Sequence, residues 1–444
     1  MMTCSSSKDS FVSVWNPSTL SVLATYKECA CSSLTKCGDR GFLAAQTDRT
    51  QIKTYTWNKQ NSNLKSVVSE RMTAMETTSV SGLNLFAGGT SGKMYVWDTS
   101  SGVLIRTWDA HYKAVTQIKI SSDNSMLYTS GEDGIVHVWN ILRLLGDLES
   151  AVSPVRTFRG HTLPVTDIYL TPCFSNGGSR LFTSSLDQTC RIYDTRSEKA
   201  IFVVSCPSML KSVTVDPSEY RVFLGGSNSQ IFQVDLHVVA ASQTAATVAA
   251  LATKRGDSDV AITPTVWKGH KHSVCCLETT RSGNRLISGD ESGLVIVWDT
   301  RSQQQLRTFE AHKGMGSITS IDVFSKLQFQ RLQNRKILND AMVPLRKFRG
   351  VATDLQRAPC VVFETGAIVR RIPSKSTNFQ QLKMDVVTAF SSSSSDTTTT
   401  TTKYDNEKEL ERLKRKLKET EAELGRWKAA SGKLIAATTK RRRR

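Results

Sequence analysis

The amino-acid sequence predicts an all-β fold, a seven-bladed β-propeller, followed by an α-helical coiled-coil extension. Three observations support this prediction: a motif of about 40 residues recurs along most of the chain, short alternating apolar runs fill each copy, and a heptad pattern marks the C-terminal end. The clearest copy is Val266–Phe309, which has a Gly-His pair at Gly269–His270 and a Trp-Asp pair at Trp298–Asp299.

The end of the motif, where the third strand of each copy finishes, recurs seven times. These positions are Trp15, Trp57, Trp97, Trp139, Tyr193, Val234 and Trp298. A Gly-His head and a Trp-Asp end at this spacing are typical of WD repeats, whose four-stranded blades bury their faces only against neighbouring blades. Seven copies therefore predict seven blades in one ring.

The ring has to close, because an open end would expose an unpaired strand edge. The chain begins with Met2–Ser5, which aligns with Leu127–Gly131, the second strand of its repeat. Blade one therefore lacks a first strand. We predict that Ser317–Phe324, which follows the last repeat, supplies this strand, so that residues 1–324 form the propeller.

Two insertions interrupt the repeat. Leu142–Ser153 is a short excursion between blades four and five, and His237–Pro264 is a longer one with an alanine-rich run, Val238–Thr253. This run is compatible with a helix and with a mobile loop. Its role is also open, since a long loop on a regular scaffold is either a binding element or a plain surface loop.

Basic charge is concentrated after the propeller. Of the net charge of +18, residues 325–402 carry +7 (12 basic, 5 acidic) and residues 403–444 carry +8 (15 basic, 7 acidic), which leaves +3 for the first 324 residues. A nearly neutral body with a basic end indicates an acidic partner or a nuclear address. Residues 325–402 are interpreted as a basic extension that ends in the low-complexity linker Ser391–Thr402.

Residues 403–438 are predicted to form a coiled-coil helix that begins near Asn406. One heptad frame places the following residues at its a and d positions: Leu410, Leu413, Leu417, Leu424, Trp427 and Leu434. In a parallel homodimer, each of the three pairs between a g residue and the next e residue of the partner would join a glutamate to a lysine. The same apolar stripe would also suit another protein or the propeller itself, so the homodimer remains one of three alternatives.

Residues 439–444 form a compact basic tail. Such a cluster fits a nuclear localisation signal, a salt-sensitive and non-specific RNA contact, or a solvated tail, and we favour nuclear localisation. The residues concerned are Lys440, Arg441, Arg442, Arg443 and Arg444.

A buried hydrogen-bonded relay is typical of well-formed WD repeats, since a buried imidazole needs partners for both of its ring nitrogens. It joins the histidine of Gly-His, a hydroxyl on the second strand, an aspartate in the next turn and the third-strand aromatic residue. The predicted members are His111, Thr129, Asp133 and Trp139 in blade four, His161, Thr183, Asp187 and Tyr193 in blade five, and His270, Ser288 and Trp298 in blade seven. In blade seven, Ser292 occupies the position expected to hold the aspartate. Blades two, three and six lack the histidine and are expected to rely on apolar packing.

No catalytic residue or cofactor is predicted. His161, Asp187 and the nearby Ser184 imitate a hydrolase triad, but the constellation repeats once per blade and no Gly-x-Ser-x-Gly elbow is present. We therefore interpret this set as structural and expect a protein without enzymatic activity.

The cysteines do not predict a metal site. Cys29, Cys31 and Cys37 cluster without the fourth ligand and the Cys-x-x-Cys pairs that zinc usually has. Unpaired spacing and the lack of an apolar h-region lead us to expect reduced thiols in an intracellular protein. No apolar stretch approaches the roughly 18 residues of a transmembrane helix, so no membrane association is expected.

Two segments read Asp-Thr-Arg after the blade aromatic residue, Tyr193–Arg196 and Trp298–Arg301. They resemble the Trp-Asp-x-Arg box of propellers that serve as substrate receptors of cullin-type ubiquitin ligases. Because this box is short and common in WD repeats, a ligase receptor is retained only as the alternative function.

Several strings resemble one family more closely. Ser184–Thr189 (SSLDQT), Gly225–Leu236 (GGSNSQIFQVDL) and Lys268–His270 followed by Val274–Leu277 are similar to the WD-repeat subunit of the Rix/Ipi complex, the family of WD repeat protein eighteen in animals. The resemblance implies a non-catalytic scaffold in assembly of the large (60S) ribosomal subunit and in internal-spacer pre-rRNA processing, located in the nucleus, nucleolus and nucleoplasm. It also implies Rix- and Ipi-type partner subunits, binding to the pre-60S particle, and docking of a midasin-type ATPase.

Overall fold

A computed structural model describes residues 1–7, 10–16, 19, 21–78, 82–146, 151–172, 179–196, 200–236, 251–255, 258–262, 264–324, 343–347, 361–362 and 368–369. These residues include seven antiparallel blades of four strands each, to which blade five adds two further strands, so the predicted seven-bladed propeller is confirmed. The predicted coiled-coil helix at 403–438, the basic tail at 439–444 and the linker Ser391–Thr402 lie outside the described residues.

The elements follow one another in the order of the repeats. In chain order they are β1 Met2–Ser5, β2 Val12–Trp15, β3 Val22–Tyr26, β4 Cys31–Cys37, β5 Gly41–Gln46, β6 Gln51–Thr56, β7 Leu64–Val67, β8 Met72–Thr77, β9 Asn84–Gly89, β10 Lys93–Asp98, β11 Leu104–Asp109, β12 Val115–Ile120, β13 Met126–Gly131, β14 Ile135–Asn140, α1 Ile141–Gly146, β15 Arg156–Arg159, β16 Val165–Leu170, β17 Arg180–Ser185, β18 Thr189–Asp194, β19 Ala200–Ser205, β20 Leu210–Val215, β21 Arg221–Gly226, β22 Gln230–Asp235, β23 Leu251–Arg255, β24 Ser258–Ile262, β25 Thr265–Lys268, β26 Val274–Thr279, β27 Arg285–Asp290, β28 Val295–Asp299, β29 Gln305–Phe309, β30 Ile318–Asp322, β31 Val361–Val362 and β32 Ile368–Val369.

The core lies between the blades rather than at one centre. In blade four the sheet runs β12-β13-β14-β15 from the channel outward. Its residues Ile118 and Trp139 are buried in one cluster with Phe86 and Trp108 of blade three. Because each sheet covers the face of the next, a blade is stable only within the ring.

The ring closes by pairing the two ends of the propeller. Strand β30 pairs antiparallel with β1, with Met2 opposite Asp322 and Cys4 opposite Ser320, and the blade-one sheet has the order β3-β2-β1-β30. The first strand of blade one therefore comes from Ser317–Phe324, as the sequence predicts.

The short insertion after blade four contains the helix α1. Asn140 Oδ1 accepts a hydrogen bond from the backbone N–H of Arg143 at 3.1 Å, which caps the start of the helix. Ile141, Leu144 and Leu145 are buried against the core between blades three and four. Within the described ranges, no helix is long and apolar enough to cross a membrane.

The described part of the long insertion is a β-hairpin. Strands β23 and β24 pair with each other, and β23 adds to β19 at the outer edge of blade five, with Val203 opposite Lys254. The last three residues of the alanine-rich run are therefore strand rather than helix. Backbone pairing with an exposed edge strand explains this outcome.

The segment Val343–Lys347 returns to the propeller at blades two and three. Leu345 is buried, and the neighbouring residues of the segment are exposed. Alternation and repeat length carry no information about this contact, because it joins residues far apart in the chain.

Candidate functional site

Blade four contains a complete relay beneath the face that carries the loops entering the first strands, here called the loop face. His111 Nδ1 lies 3.1 Å from Asp133 Oδ2, and His111 Nε2 lies 2.9 Å from Thr129 Oγ1. Trp139 Nε1 donates to the same Thr129 oxygen at 3.0 Å. Since the carboxylate can only accept, the proton is assigned to Nδ1, and the threonine hydroxyl donates to Nε2.

The aspartate of this relay is held ionised. Burial by itself would raise the pKa of Asp133, but hydrogen bonds from His111 and from the backbone N–H groups of Ile135 and Tyr112 bring it below its usual value. The bond to the Tyr112 N–H also fixes the loop that leads into β12. The relay therefore supports the exposed residues of the loop face.

Blade five contains the same relay without its aromatic member. His161 lies 2.9 Å from Asp187 Oδ2 and 2.7 Å from Thr183 Oγ1. The prediction that Tyr193 completes this relay needs correction, because its hydroxyl bonds with the Arg191 side chain. The hydroxyl of a tyrosine lies at the tip of the ring, farther from the backbone than the indole N–H of a tryptophan. It therefore does not take the place of that N–H in the relay.

The hydrolase-like arrangement in blade five does not contain the serine. The Ser184 hydroxyl lies 3.0 Å from Thr166 Oγ1, while the histidine is bonded to Thr183 and Asp187. Ser184 therefore has no bond to the group that would have to take its proton.

Blade seven obtains its acid from an unexpected position. His270 lies 3.1 Å from Asp290 Oδ2 and 2.6 Å from Ser288 Oγ, and Trp298 Nε1 donates to Ser288 Oγ at 2.8 Å. Asp290 lies at the end of the second strand, two residues before Ser292, and its other oxygen accepts bonds from Ser292 and from the Leu294 N–H. Ser292 is therefore a partner of the relay carboxylate rather than a gap in the relay.

Blade one has a fourth relay that sequence reasoning missed. His312 Nε2 lies 2.9 Å from Thr3 Oγ1, which also accepts a bond from Trp15 Nε1 at 2.9 Å. Burial lowers the pKa of His312 to about 4, so this ring is neutral at physiological pH. The only signal in the sequence was the pair Ala311–His312, whose partners lie at the other end of the propeller.

Three adjacent blades present apolar side chains on the loop face. Tyr112 in blade four is 93% exposed, Leu163 in blade five 47% and Met209 in blade six 49%. All three precede the first strand of their blade by one to three residues, so they surround the same sector of the channel rim. Exposed apolar residues clustered on a rigid surface are typical of a protein-binding site.

Charged side chains from six first strands line the channel. They are Lys36, Glu76, Lys119, Asp167, Glu278 and Asp322. Lys36 Nζ lies 3.1 Å from Asp322 Oδ1. Burial raises the pKa of Glu76 and that of Glu278 to about 7, and the Lys119 charge opposes this only in part. The channel therefore takes up protons near neutral pH.

Stability is expected to depend on pH through this channel. Between pH 4.5, which is the ordinary pKa of a glutamate side chain, and about pH 7, the folded protein binds more protons on Glu76 and Glu278 than the unfolded chain does. The free energy of unfolding therefore falls as the pH rises through this window. The double variant Glu76→Gln, Glu278→Gln should unfold at a higher temperature than the wild type at pH 8 and at nearly the same temperature at pH 5. Thermal unfolding followed by circular dichroism measures this, with Glu310→Gln at an exposed surface pair as the control. An equal shift at both pH values would contradict the expectation.

A cleft of 610 Å³ opens between blades six and seven on the face opposite to the loop face. Its lining includes Asp216, Tyr220, Arg221, Asp235 and Arg301. Arg221 donates to the Thr300 carbonyl oxygen at 3.0 Å and is thereby fixed in the wall. Of the two arginines in the predicted ligase boxes, Arg301 lines this cleft, whereas Arg196 belongs to blade five.

The cysteine cluster differs from the predicted one. Cys4 and Cys31 are joined by a disulfide bond, and Cys29 Sγ lies 3.3 Å from Cys31 Sγ. Cys37 lies apart, with its thiol near the Gly82 carbonyl oxygen. The expectation of reduced thiols is therefore wrong for this pair, which the packing of blade one against blade two brings together from β1 and β4. Burial raises the pKa of the Cys29 thiol to about 12, so the thiol is neutral at physiological pH.

The chain matches known proteins along most of its propeller. The family model described as "WD domain, G-beta repeat" matches residues 102–140, 152–194 and 263–299. Protein ROOT INITIATION DEFECTIVE 3 of Arabidopsis thaliana is 28% identical over 333 residues, which are 72% of this chain and 72% of that protein. WD repeat-containing protein 18 of Bos taurus is 30% identical over 272 residues, 60% of this chain and 59% of that protein.

A yeast protein is similar over a larger share of the chain than the bovine one. Pre-rRNA-processing protein IPI3 of Meyerozyma guilliermondii is 31% identical over 325 residues, which cover 68% of this chain and 70% of that protein. The chain belongs to the family of IPI3 and WD repeat-containing protein 18. Membership agrees with the resemblance that the blade-five to blade-seven strings indicate.

The WD model matches this member of the IPI3 family in the blades whose relay histidine, hydroxyl and aspartate lie within one continuous segment. The three matched ranges end on the third strands of blades four, five and seven. The ranges contain His111, His161 and His270, respectively. Blade one has a relay too, but its residues come from both ends of the propeller, and no continuous repeat pattern describes it. The predicted coiled-coil residues and the basic tail of this family member lie outside the described residues.

Proposed function

We propose that this protein is a non-catalytic scaffold subunit in the assembly of the large (60S) ribosomal subunit, acting in internal-spacer pre-rRNA processing. Its relatives include proteins named for pre-rRNA processing, and a propeller with rigid blades suits a role in holding partners. These names favour this role over that of a cullin-type ligase receptor. The protein would act in the nucleus, in the nucleolus and nucleoplasm, with Lys440–Arg444 as its import signal.

The observation that carries the proposal is the apolar sector of the loop face. Tyr112, Leu163 and Met209 are exposed on three consecutive blades, and the relays of blades four and five fix two of their loops. We propose that Rix- and Ipi-type subunits dock on this sector. An interface core of this kind is enriched in tyrosine and methionine, and a preformed surface lowers the entropic cost of binding.

Loss of the apolar sector is expected to release the partners. The triple variant Tyr112→Ser, Leu163→Ser, Met209→Ser should reduce recovery of Rix- and Ipi-type subunits by about tenfold or more, since each truncated anchor costs about 1–2 kcal/mol. Affinity purification with quantitative mass spectrometry measures the recovery, and sedimentation measures association with pre-60S particles.

A matched control removes exposed apolar residues elsewhere. Val22 and Leu23, on the outer strand of blade one, are also exposed, and Val22→Ser, Leu23→Ser should leave recovery unchanged. Normal recovery with the triple variant would rule out this docking surface. Absence of pre-ribosomal proteins from the wild-type purification would rule out the function itself.

The C-terminal parts complete the proposal. The heptad residues would join two copies in a parallel homodimer, which light scattering of the full chain against one ending at residue 402 tests directly. The basic tail would add a salt-sensitive, non-specific contact with RNA. A midasin-type ATPase would dock on the assembled complex rather than on this chain alone.

A further inference from the structure

A groove between blades two and three is occupied by a short stretch of the chain itself. Val343–Lys347, here called the strap, lies between the outer strand β7 of blade two and the third and fourth strands of blade three. Residues 323–342 connect it to the end of β30 in blade one. This surface is separate from the apolar sector of the loop face.

The strap is held by one buried side chain. Leu345 is 6% exposed, while Val343, Pro344, Arg346 and Lys347 are all exposed. Its side chain belongs to the core cluster that includes Val68, Trp97 and Leu104. One apolar anchor between exposed neighbours is the pattern of a bound linear peptide rather than of a core strand.

Backbone hydrogen bonds hold the strap on both sides of the anchor. The Leu345 N–H donates to Ser66 Oγ at 2.9 Å, and the Arg346 N–H donates to the Gly102 carbonyl oxygen at 2.7 Å. The Arg346 carbonyl oxygen accepts a bond from Trp97 Nε1 at 2.9 Å. The groove therefore offers two hydrogen-bond acceptors and one donor, which match the N–H and C=O groups of an extended backbone.

The groove exists because of local departures from the repeat. Blade three lacks the relay histidine that would engage its third-strand indole. In blades four and seven the equivalent indole N–H is used inside the blade, whereas that of Trp97 is used by the strap. Gly102 has a φ of +68°, and a Cβ there would come within 2.2 Å of the Pro344 oxygen, so glycine keeps the groove open.

We propose that this groove is a docking site for an extended peptide segment of a partner protein, with a leucine as its anchor. The strap occupies it in cis, and a partner segment of the same pattern replaces the strap. The anchor and the next residue must both carry an N–H, which excludes proline at these two positions, while proline before the anchor favours the extended backbone.

The size of the contact makes exchange feasible. One buried leucine and three hydrogen bonds give only a weak peptide affinity, and the strap is retained because its tether provides an effective concentration in the millimolar range. A second binding site on the partner would provide a comparable advantage in trans. Binding of the partner at the groove would then release the strap from the propeller.

A labelled peptide tests the site on the full chain. The probe is a fluorescent peptide of residues 341–349 (AMVPLRKFR), and its anisotropy is measured with the wild type and with Leu345→Asp, which removes the strap anchor. We expect the variant to bind the peptide about tenfold more tightly than the wild type, because the strap no longer competes. The same peptide with aspartate in place of the leucine should not bind either protein.

A second variant guards against a general loss of folding. Arg346→Pro removes one N–H of the strap and leaves the leucine in place, so it should also open the groove, and thermal unfolding should show a folded propeller. Adding Trp97→Phe to Leu345→Asp removes the donor in the groove and should weaken peptide binding again by about fivefold, the value of one hydrogen bond. Failure of both strap variants to bind the peptide, or equal binding by the wild type, would overturn the proposal.

Discussion

Replacing Asp290 with alanine is expected to lower the free energy of unfolding by about 3 kcal/mol or more, since several buried donors lose the carboxylate that accepts their hydrogen bonds, at about 1–3 kcal/mol each. His270 and Asp290 are both buried, and the carboxylate also accepts bonds from Ser292 and from the Leu294 N–H. The variant therefore leaves an imidazole nitrogen and a backbone N–H without their partner. Denaturant unfolding monitored by tryptophan fluorescence measures the loss.

The neighbouring serine provides a matched control for Asp290. Ser292 occupies the position at which blades four and five hold their relay aspartate, but in the structure its hydroxyl only donates to Asp290 Oδ1 at 2.7 Å. Ser292→Ala should cost about 1 kcal/mol, the net value of one hydrogen bond. If the two substitutions had equal effects, the assignment of Asp290 as the relay acid would be wrong.

Replacing Thr3 with valine is expected to cost about 2–5 kcal/mol by opening the closure of the ring. The Thr3 hydroxyl is the single atom that joins His312 Nε2 and Trp15 Nε1, and valine keeps its shape without the oxygen. Two buried polar groups then lose their partner, at about 1–3 kcal/mol each. Hydrogen–deuterium exchange should become faster in β1 and β30.

The matched control is Thr129→Val, which makes the same chemical change inside blade four. It distinguishes the effect of losing a relay hydroxyl from the effect of weakening the pairing of β1 with β30. Thr129 joins His111 and Trp139 in the same way, so its variant should be destabilised to a similar extent. Exchange should then increase around β13 and β14 and remain slow in β1 and β30. Similar exchange profiles for the two variants would show that the Thr3 relay has no special role in closing the ring.

Local sequence patterns were sufficient to predict the blades, their number and the closing strand. Each third strand alternates and ends in a residue such as Trp139, and turn residues separate the strands, so the information lies within about 40 residues. Thr129 and Asp133 were predictable for the same reason, because their spacing from the third-strand aromatic residue Trp139 repeats in blade five. These features depend on neighbours in the chain.

The choice of side-chain partner at individual positions was not predictable in this way. Asp290 replaces Ser292 because the direction of a side chain at a strand end, rather than its place in the count, decides which carboxylate reaches His270. Tyr193 leaves its relay because its hydroxyl lies at the ring tip. Cys4 rather than Cys37 joins Cys31 because the packing of blade one against blade two places β1 beside β4.

Repeat period and apolar alternation thus specify the seven-bladed ring of this IPI3-family member from sequence, since both express backbone geometry that is the same in every blade. The relay of His312 with Thr3, the charged channel and the strap on Trp97 exist only once the ring has closed. Each joins residues that are distant in the chain, and no local pattern records which distant groups will meet. The surfaces proposed for partners combine both kinds of information, because repeated loops place their residues and the closed ring brings them together.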